Sequence, residues 1–176
     1  QLAQKYTQQA LLTLEGIQVP EIRYRWEWQL GRILKHQGNI EEAINAYSIA
    51  IKTLKLVRRD LLTVNSEVRF SFRDYTEPIF REFVTLLLQD NQSERVNQEY
   101  LKQAIQSIDA LQLAEVENFL NCDLDASLQT NLQPKSIDEI DSNTAFIYPV
   151  ILEDLLAVIF IQPGQFLEYH INSVYQ

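Results

Sequence analysis

The stretch LGRILKHQGNIEEAINAYSIAI, from Leu30 to Ile51, decides the fold of this chain. Small and bulky residues recur in it at short intervals: Gly31, Leu34, Gly38, Ala43, Tyr47 and Ala50. Glycine or alanine suits the points where two helices touch, and bulky side chains fill the space beside them. Gly38 also suits a left-handed helix end. The pattern predicts an antiparallel helical hairpin, a unit that buries its apolar face only against stacked neighbours.

Composition limits the classes of protein to which the chain can belong. It has 176 residues and a formal net charge of −9, a length that suits one domain, or one domain and part of another. The acidic balance argues against nonspecific nucleic-acid binding and against anionic membrane surfaces. No apolar run reaches about 18 residues, and no signal-peptide pattern opens the chain. With Cys122 as its single cysteine, we expect a cytoplasmic protein that binds neither nucleic acid nor membrane.

Helical periodicity continues on both sides of the hairpin. Apolar spacing predicts helices over about residues 1–14, 21–37, 39–62, 77–89 and 94–120. Pro78 falls in the first turn of the fourth of these, where proline is tolerated. The spacing of the hairpin recurs in the fifth, at Ala104, Ile108 and Leu111. The last two helices are therefore expected to form a second, degenerate hairpin.

The pattern changes after the fifth helix. Residues 122–143 are polar and rich in turn formers, which predicts a linker. Three strand-like runs follow, at Ala145–Ile151, Leu155–Ile161 and Phe166–Val174. The expected fold class is mainly α, with about five helices in antiparallel hairpins and then a small three-stranded antiparallel β-meander. The expected domains are a helical array over 1–121, the linker, and strands over 144–176.

The hairpin resembles a tetratricopeptide repeat (TPR), and later strings resemble the junction of TPR proteins that carry a CHAT domain. These strings are RFSFR from Arg69, FREF from Phe80, LQLAEVENFL from Leu111, AFIYPVIL from Ala145, and the pair Pro163-Gly164. The CHAT domain is a caspase-like module attached to TPR arrays and is frequent in cyanobacteria. The resemblance covers about residues 21–175, and its repeat pattern is less specific than its junction strings.

The resemblance implies that the residues after about 143 begin a caspase-like domain whose remainder lies beyond Gln176. The chain starts inside a helix and stops after a strand-like run, as expected for a piece of a longer protein. In that family a histidine and a cysteine form a peptidase dyad deep in the domain. Neither His170 nor Cys122 has that context. No catalytic residue carries over, and we expect this chain not to be an enzyme.

Other chemistry finds little support in the sequence. His36 and His170 lack the closely spaced partners of a zinc site, so no metal ligand is expected. Glu153-Asp154 suits a hairpin turn better than an acid–base pair. The glycines are scattered singly, so no phosphate-binding loop is present. We therefore expect no cofactor.

One face of the second helix carries the candidate site. Its members lie at offsets 0, 3, 7, 10 and 11 and share a face: Arg25, Trp28, Arg32, Lys35 and His36. The opposite, packing side is expected at Trp26, Leu30, Ile33 and Leu34. In TPR proteins the equivalent face lines a groove. Guanidinium groups clamp carboxylates and tryptophan offers a flat anchor, which predicts binding of an acidic or C-terminal peptide. The alternative is a solvated basic face with Trp28 covered by the first helix.

The strands and the resemblance complete the functional hypothesis. A small meander needs a cover for its apolar face. We expect it to fold onto the fourth and fifth helices, or onto a second copy of the chain, which would give a homodimer. The expected function is a noncatalytic protein-interaction scaffold that presents or regulates a caspase-like domain. The alternatives are the regulatory arm of a full-length cysteine peptidase and a purely structural oligomerisation module.

Overall fold

A computed structural model describes residues 1–61, 66–90, 97–120, 144–152, 155–162 and 164–173. Over these residues the helices are α1 (Leu2–Thr13), α2 (Pro20–His36), α3 (Ile40–Leu61), α4 (Ser66–Asp90) and α5 (Gln98–Leu120). The strands are β1 (Phe146–Ile151), β2 (Leu155–Ile161) and β3 (Glu168–Ser173). The strands form one antiparallel sheet in the order β1-β2-β3. The predicted fold class, mainly α with a small β-meander, is confirmed.

The chain divides into two compact units, Gln1–Leu86 and Leu87–Gln176. The boundary falls inside α4. The domain limits expected from the sequence differ from this division, and they stay a prediction because compactness alone does not define a domain. The expected linker lies almost entirely outside the described residues.

The turn between α2 and α3 is a glycine-terminated helix end. Gly38 has a φ of +79°, a left-handed conformation that favours glycine. Its N–H donates to the Lys35 carbonyl at 3.0 Å, and the Asn39 N–H donates to the Leu34 carbonyl at 3.0 Å. This pair of bonds is the Schellman motif, which satisfies the last carbonyls of α2. The short turn returns the chain along α2 and makes the hairpin antiparallel.

The crossing of α2 and α3 depends on the small residue Gly31. A Cβ atom placed on Gly31 would lie only 2.8 Å from Cδ2 of the Tyr47 ring. Tyr47, Ala43 and Ala50 on α3 are fully buried. Glycine therefore admits the tyrosine ring where any side chain would collide with it. The predicted contact between small and bulky residues is confirmed.

Helix α4 departs from its predicted limits. It begins at Ser66 and carries Pro78 in its interior, whereas the sequence predicted a start near residue 77. An interior proline costs roughly 3 kcal/mol of helix stability. The residues after it offset that cost by burial in the core: Ile79, Phe80, Phe83, Val84 and Leu86. The predicted helix start at Pro78 is wrong, because burial of the residues that follow it stabilises a longer helix than local sequence indicates.

Helix α5 begins at a side-chain cap. The Asn97 side-chain oxygen accepts hydrogen bonds from the N–H groups of Glu99 at 3.0 Å and Tyr100 at 3.3 Å. Asparagine is favoured at this position because it satisfies helix donors that lack partners. The predicted break at 91–93 lies outside the described residues.

The sheet presents two different faces. Residues paired across strands share a face, so Tyr148, Ile159 and Tyr169 lie together, with Val150 and Ala157 beside them. On this inner face Val150, Ala157 and Ile159 are buried. The other face carries Ile147, Pro149 and Ile151 of β1, paired with Phe160, Val158 and Leu156 of β2. Ile147 and Ile151 are exposed there.

Contacts within the second unit join the sheet to helices. The Gln98 amide donates to the Leu167 carbonyl at 2.9 Å and accepts from the Leu167 N–H at 2.7 Å. The Tyr148 hydroxyl donates to Asp109 of α5, and the Tyr169 hydroxyl donates to the Leu88 carbonyl at 3.4 Å. The predicted folding of the strands onto the fourth and fifth helices is confirmed. The proposed turn at Glu153-Asp154 lies outside the described residues.

Candidate functional site

The five residues of the predicted peptide-binding face all lie on α2, but in different surroundings. Arg25, Arg32 and His36 are exposed, whereas Trp28 and Lys35 are half-buried. The Arg25 guanidinium donates to the Tyr24 hydroxyl at 3.2 Å and lies 5.7 Å from the centre of that ring. The face therefore has an outward part and a part that turns toward other helices. Whether it binds a peptide stays a prediction.

The opposite side of α2 differs from expectation. Trp26 was assigned to the packing side, yet it is 40% exposed, and Leu30 and Ile33 are only half-buried. The buried row of α2 consists of Tyr24, Glu27, Gly31 and Leu34. This row has helical spacing but includes a glutamate and a glycine, which a search for apolar residues passes over. The prediction that Trp26 lies on the packing side of α2 was wrong. Hydrophobicity alone does not locate a helix contact that depends on the absence of a side chain, as at Gly31.

Trp28 and Arg32 meet a carboxylate that the sequence did not reveal. Glu82 of α4 accepts a hydrogen bond from the Trp28 indole N–H at 2.8 Å and another from the Tyr47 hydroxyl at 2.7 Å. The Arg32 Nε donates to the same oxygen at 3.0 Å, and a second guanidinium nitrogen donates to the other oxygen. Arginine thus grips Glu82 with two bonds, the strongest form of this pairing. We call Trp28, Arg32, Tyr47 and Glu82 the Glu82 cluster.

The cluster is ordered by stacking and packing. The Arg32 guanidinium carbon lies 3.9 Å from the centre of the Trp28 ring, a cation–π contact. The Tyr47 ring fills the space at Gly31. It also stacks on Phe83, with ring centres 6.1 Å apart. Each donor is therefore held by contacts that do not involve the carboxylate.

The protonation equilibria of the cluster follow from burial and pairing. Burial of the Glu82 carboxyl acts to raise its pKa, but the bonds from Arg32, Tyr47 and Trp28 outweigh burial and leave the pKa lowered. The hydrogen bond to Glu82 raises the pKa of Arg32. Burial, followed by the bond to Glu82, raises the pKa of Tyr47 far above its ordinary value. Near neutral pH the cluster holds an ionised carboxylate, a guanidinium cation and a neutral phenol.

Sequence reasoning missed Glu82, although one signal was present. Glu82 and Leu86 follow Ile79 by three and seven positions. The glutamate therefore occupies an otherwise apolar face of α4. A charged residue at such a position needs a partner. The indole N–H of Trp28 has its hydrogen-bond partner on α4. The alternative in which the first helix covers Trp28 stays a prediction.

A second carboxylate lies on the hairpin. Glu27 is 7% exposed. It accepts a hydrogen bond from the Arg23 side chain at 3.1 Å and another from the Thr53 hydroxyl at 2.6 Å. Glu27 therefore joins α2 to α3, much as Glu82 joins α4 to both. Its place in the buried row of α2 and its donors fit a structural role.

The other candidate residues are scattered. His170 lies on β3, exposed, and meets the Phe160 ring edge-on with centres 5.8 Å apart. Cys122 lies outside the described residues. Within the part of the chain that the structure describes, no three His, Cys, Asp or Glu residues gather as a metal site would require. Among the described helices, none has the length and apolar character needed to cross a membrane.

Comparison with known proteins returns nothing similar: no family model, no curated protein and no solved structure matches this chain.

Proposed function

We propose that this chain is a noncatalytic protein-recognition module whose α2 face binds acidic peptides. The observation that carries the proposal is the grip of Arg32 and Trp28 on a carboxylate. Two parallel guanidinium bonds are a common means by which proteins recognise carboxylates, and the Trp28 indole N–H adds a further donor here. The α2 face thus has the chemistry of an acidic-peptide receptor, although the chain itself is acidic.

The outward part of the face extends this chemistry. Arg25 and His36 are exposed and Lys35 is half-buried on the same side of α2 as Arg32. A peptide with several acidic residues would meet these groups in turn along the helix. These groups stand on a regular helix, and binding to groups that are already ordered loses little conformational entropy.

The wider role rests on the resemblance to TPR proteins with a CHAT domain. In that role the helical array presents or regulates a caspase-like domain, and the strands begin that domain. The alternative is that the chain is the regulatory arm of a cysteine peptidase. The two are told apart by whether any longer sequence that contains this chain includes, after Gln176, a strand ending in histidine and another ending in cysteine.

A structural, self-associating role is the second candidate, favoured by the sheet. Ile147, Ile151 and Phe166 are exposed in the second unit, and exposed apolar residues of this kind promote association. Size-exclusion chromatography with light scattering tests this self-associating role by measuring molar mass. A protein that is monomeric at all concentrations contradicts it.

The test of peptide recognition uses the residues outside the Glu82 cluster. A fluorescently tagged glutamate-rich peptide is titrated against the wild type and against Arg25→Gln/Lys35→Gln. We expect the double variant to bind about tenfold more weakly at low salt, since two attractive charges are gone. Added salt should weaken wild-type binding. The matched control is Lys52→Gln, an exposed lysine of α3. Equal losses in both variants, or none in either, contradict the proposal.

A further inference from the structure

The donors of the Glu82 cluster all come from the hairpin. Trp28 and Arg32 lie on α2, Tyr47 lies on α3, and α4 contributes only the carboxylate. Four N–H or O–H groups converge on the two oxygens of Glu82. The hairpin therefore holds a set of donors complementary to any carboxylate group, with Glu82 as its present occupant.

Contacts other than those with the carboxylate also order these donors. The Trp28 ring lies under the Arg32 guanidinium. The Tyr47 ring occupies the space left by the absence of a side chain at Gly31, and it stacks on Phe83. Such preorganisation is what gives a binding site affinity, since little ordering is needed when a ligand enters.

The occupant lies at the rim of the protein rather than in its core. The side chains of Arg32 and Glu82 are 45% and 28% exposed. The apolar residues of α4 on either side, Ile79, Phe83 and Leu86, are buried. Rotation of the Glu82 side chain into water would therefore free the donors without removing these apolar contacts of α4. An incoming carboxylate re-forms the bonds that Glu82 gives up, so the exchange leaves no buried donor unpaired.

We propose that Trp28, Arg32 and Tyr47 form a carboxylate-binding site that Glu82 fills in the free protein and that a carboxylate of an acidic peptide fills in the complex. Glu82 is then an internal competitor that weakens peptide binding. This inference rests on the proposed function, because it names where one carboxylate of the peptide binds. The incoming group is a glutamate or aspartate side chain or a C-terminal carboxylate, which share the same chemistry.

Competition has a measurable consequence. An intramolecular ligand lowers the apparent affinity of an external one by the fraction of molecules in which the site is free. If Glu82 occupies the site in about nine molecules of ten, its removal raises the affinity about tenfold. An incoming carboxylate makes the same bonds to the site that Glu82 made. We therefore expect the gain in peptide affinity to be lost when Arg32 is replaced.

The first experiment probes the vacated site with acetate. Trp26 and Trp28 are the two tryptophans of the chain, so Trp26→Phe leaves Trp28 as the sole indole reporter inside the cluster. In this background we expect acetate to change Trp28 fluorescence and to raise the Tm of Glu82→Ala. The same concentrations of chloride should do neither. The parent Trp26→Phe should respond only at about tenfold higher acetate concentrations, and the variant with Arg32→Gln added to Glu82→Ala should not respond. A folded Glu82→Ala protein that ignores acetate overturns the proposal.

The second experiment keeps the volume of the side chain, in case Glu82→Ala does not fold. Glu82→Gln removes the charge that Arg32 grips and preserves the shape of the residue. We expect Glu82→Gln to bind the glutamate-rich peptide about tenfold more tightly than the wild type. A glutamate-free peptide is tested in two forms, one with a free C-terminus and one with an amidated C-terminus. Binding of the free form alone shows that the site takes a terminal carboxylate and not only a side-chain carboxylate. Unchanged or weaker binding of the glutamate-rich and free-terminus peptides overturns the proposal.

The two hypotheses fail in different ways. If Glu82→Ala binds acetate but no variant binds a peptide, the carboxylate site stands and acidic-peptide recognition falls. If the wild type binds the peptide through Arg25 and Lys35 but Glu82→Gln binds no more tightly, peptide recognition stands and competition by Glu82 falls.

Discussion

The hairpin of α2 and α3 and the sheet of β1, β2 and β3 achieve their packing by different means. In the hairpin, one absent side chain at Gly31 receives one ring from Tyr47. In the sheet, residues of one type alternate between faces, so that Ile159 is 0% exposed and Ile151 is 71% exposed. The packing of the hairpin depends on the fit of two residues at one helix crossing. The packing of the sheet depends on which of its two faces carries each apolar residue.

The difference also concerns polar groups. The hairpin surrounds two carboxylates with donors, those of Glu27 and Glu82. Such networks favour one arrangement of helices, because the donors and the carboxylate must meet at hydrogen-bond distance. The inner face of the sheet depends instead on apolar burial at Val150, Ala157 and Ile159. We therefore expect the hairpin to be sensitive to volume and charge, and the sheet to be sensitive to polarity on one face.

The largest effect should come from the buried face of the sheet. Ile159→Thr keeps a β-branched residue in the strand but replaces a buried ethyl group by a buried hydroxyl. We expect it to lower the free energy of unfolding by about 3 kcal/mol. Ile151→Thr makes the same chemical change on the exposed face and should alter stability by less than about 0.5 kcal/mol.

Amide hydrogen exchange in β2 measures this pair of variants within the second unit. Protection should fall in Ile159→Thr and stay unchanged in Ile151→Thr. Comparable losses in the two variants would show that both faces are buried in solution, and the contrast between the faces would then be wrong.

Shape could be predicted from sequence where it depends on local spacing. The small residues Gly31 and Ala43 and the turn at Gly38 stand within one short segment, so their intervals report the hairpin directly. The strands were also predictable, since alternation and turn formers are local. These features define the fold class without knowledge of any distant contact.

The candidate site could be predicted only in part, for the opposite reason. Arg32 and Glu82 are 50 positions apart in sequence, and no local interval connects them. The interior position of Pro78 in α4 was missed because distant burial offsets a local cost. Trp26 was misassigned because α2 packs through Glu27 and Gly31, which are not apolar. In each case the missing information was the identity of the neighbour.

A smaller effect than that of Ile159→Thr is expected from filling the space at Gly31. Gly31→Val places side-chain atoms where a Cβ would already be 2.8 Å from the Tyr47 ring. Overpacking of this kind typically costs about 1–3 kcal/mol, and we expect about 2 kcal/mol here. Urea unfolding followed by tryptophan fluorescence measures the loss, because Trp26 and Trp28 both lie in the first unit.

The control for Gly31→Val is Gln29→Val, an exposed site on the same helix. It measures how much valine changes the free energy of unfolding through helix propensity alone, which is a few tenths of a kcal/mol. Replacement of Tyr47 by leucine should recover part of the stability lost by Gly31→Val, since the smaller residue vacates the space. If Gly31→Val is as stable as Gln29→Val, the crossing is not specified by shape.

The smallest effect concerns the charge of Glu82. Its pKa is lowered below the ordinary value of 4.5 in the folded protein, because the bonds from Arg32, Tyr47 and Trp28 outweigh burial. The folded state therefore binds this proton less readily than the unfolded state does. The stability that the ionised form contributes is complete above the unfolded value and is lost as the pH falls through the lowered folded value.

We compare the wild type with Glu82→Gln by urea unfolding from about pH 7 to about pH 3. The wild type should be more stable by about 1 kcal/mol near neutral pH, a modest value because solvent screens the partly exposed pair. That advantage should stay constant down to about pH 5 and shrink below it. Glu115→Gln, at an exposed position of α5, provides the control. An advantage that persists unchanged at the lowest pH would mean that ionisation of Glu82 does not hold α4 to the hairpin.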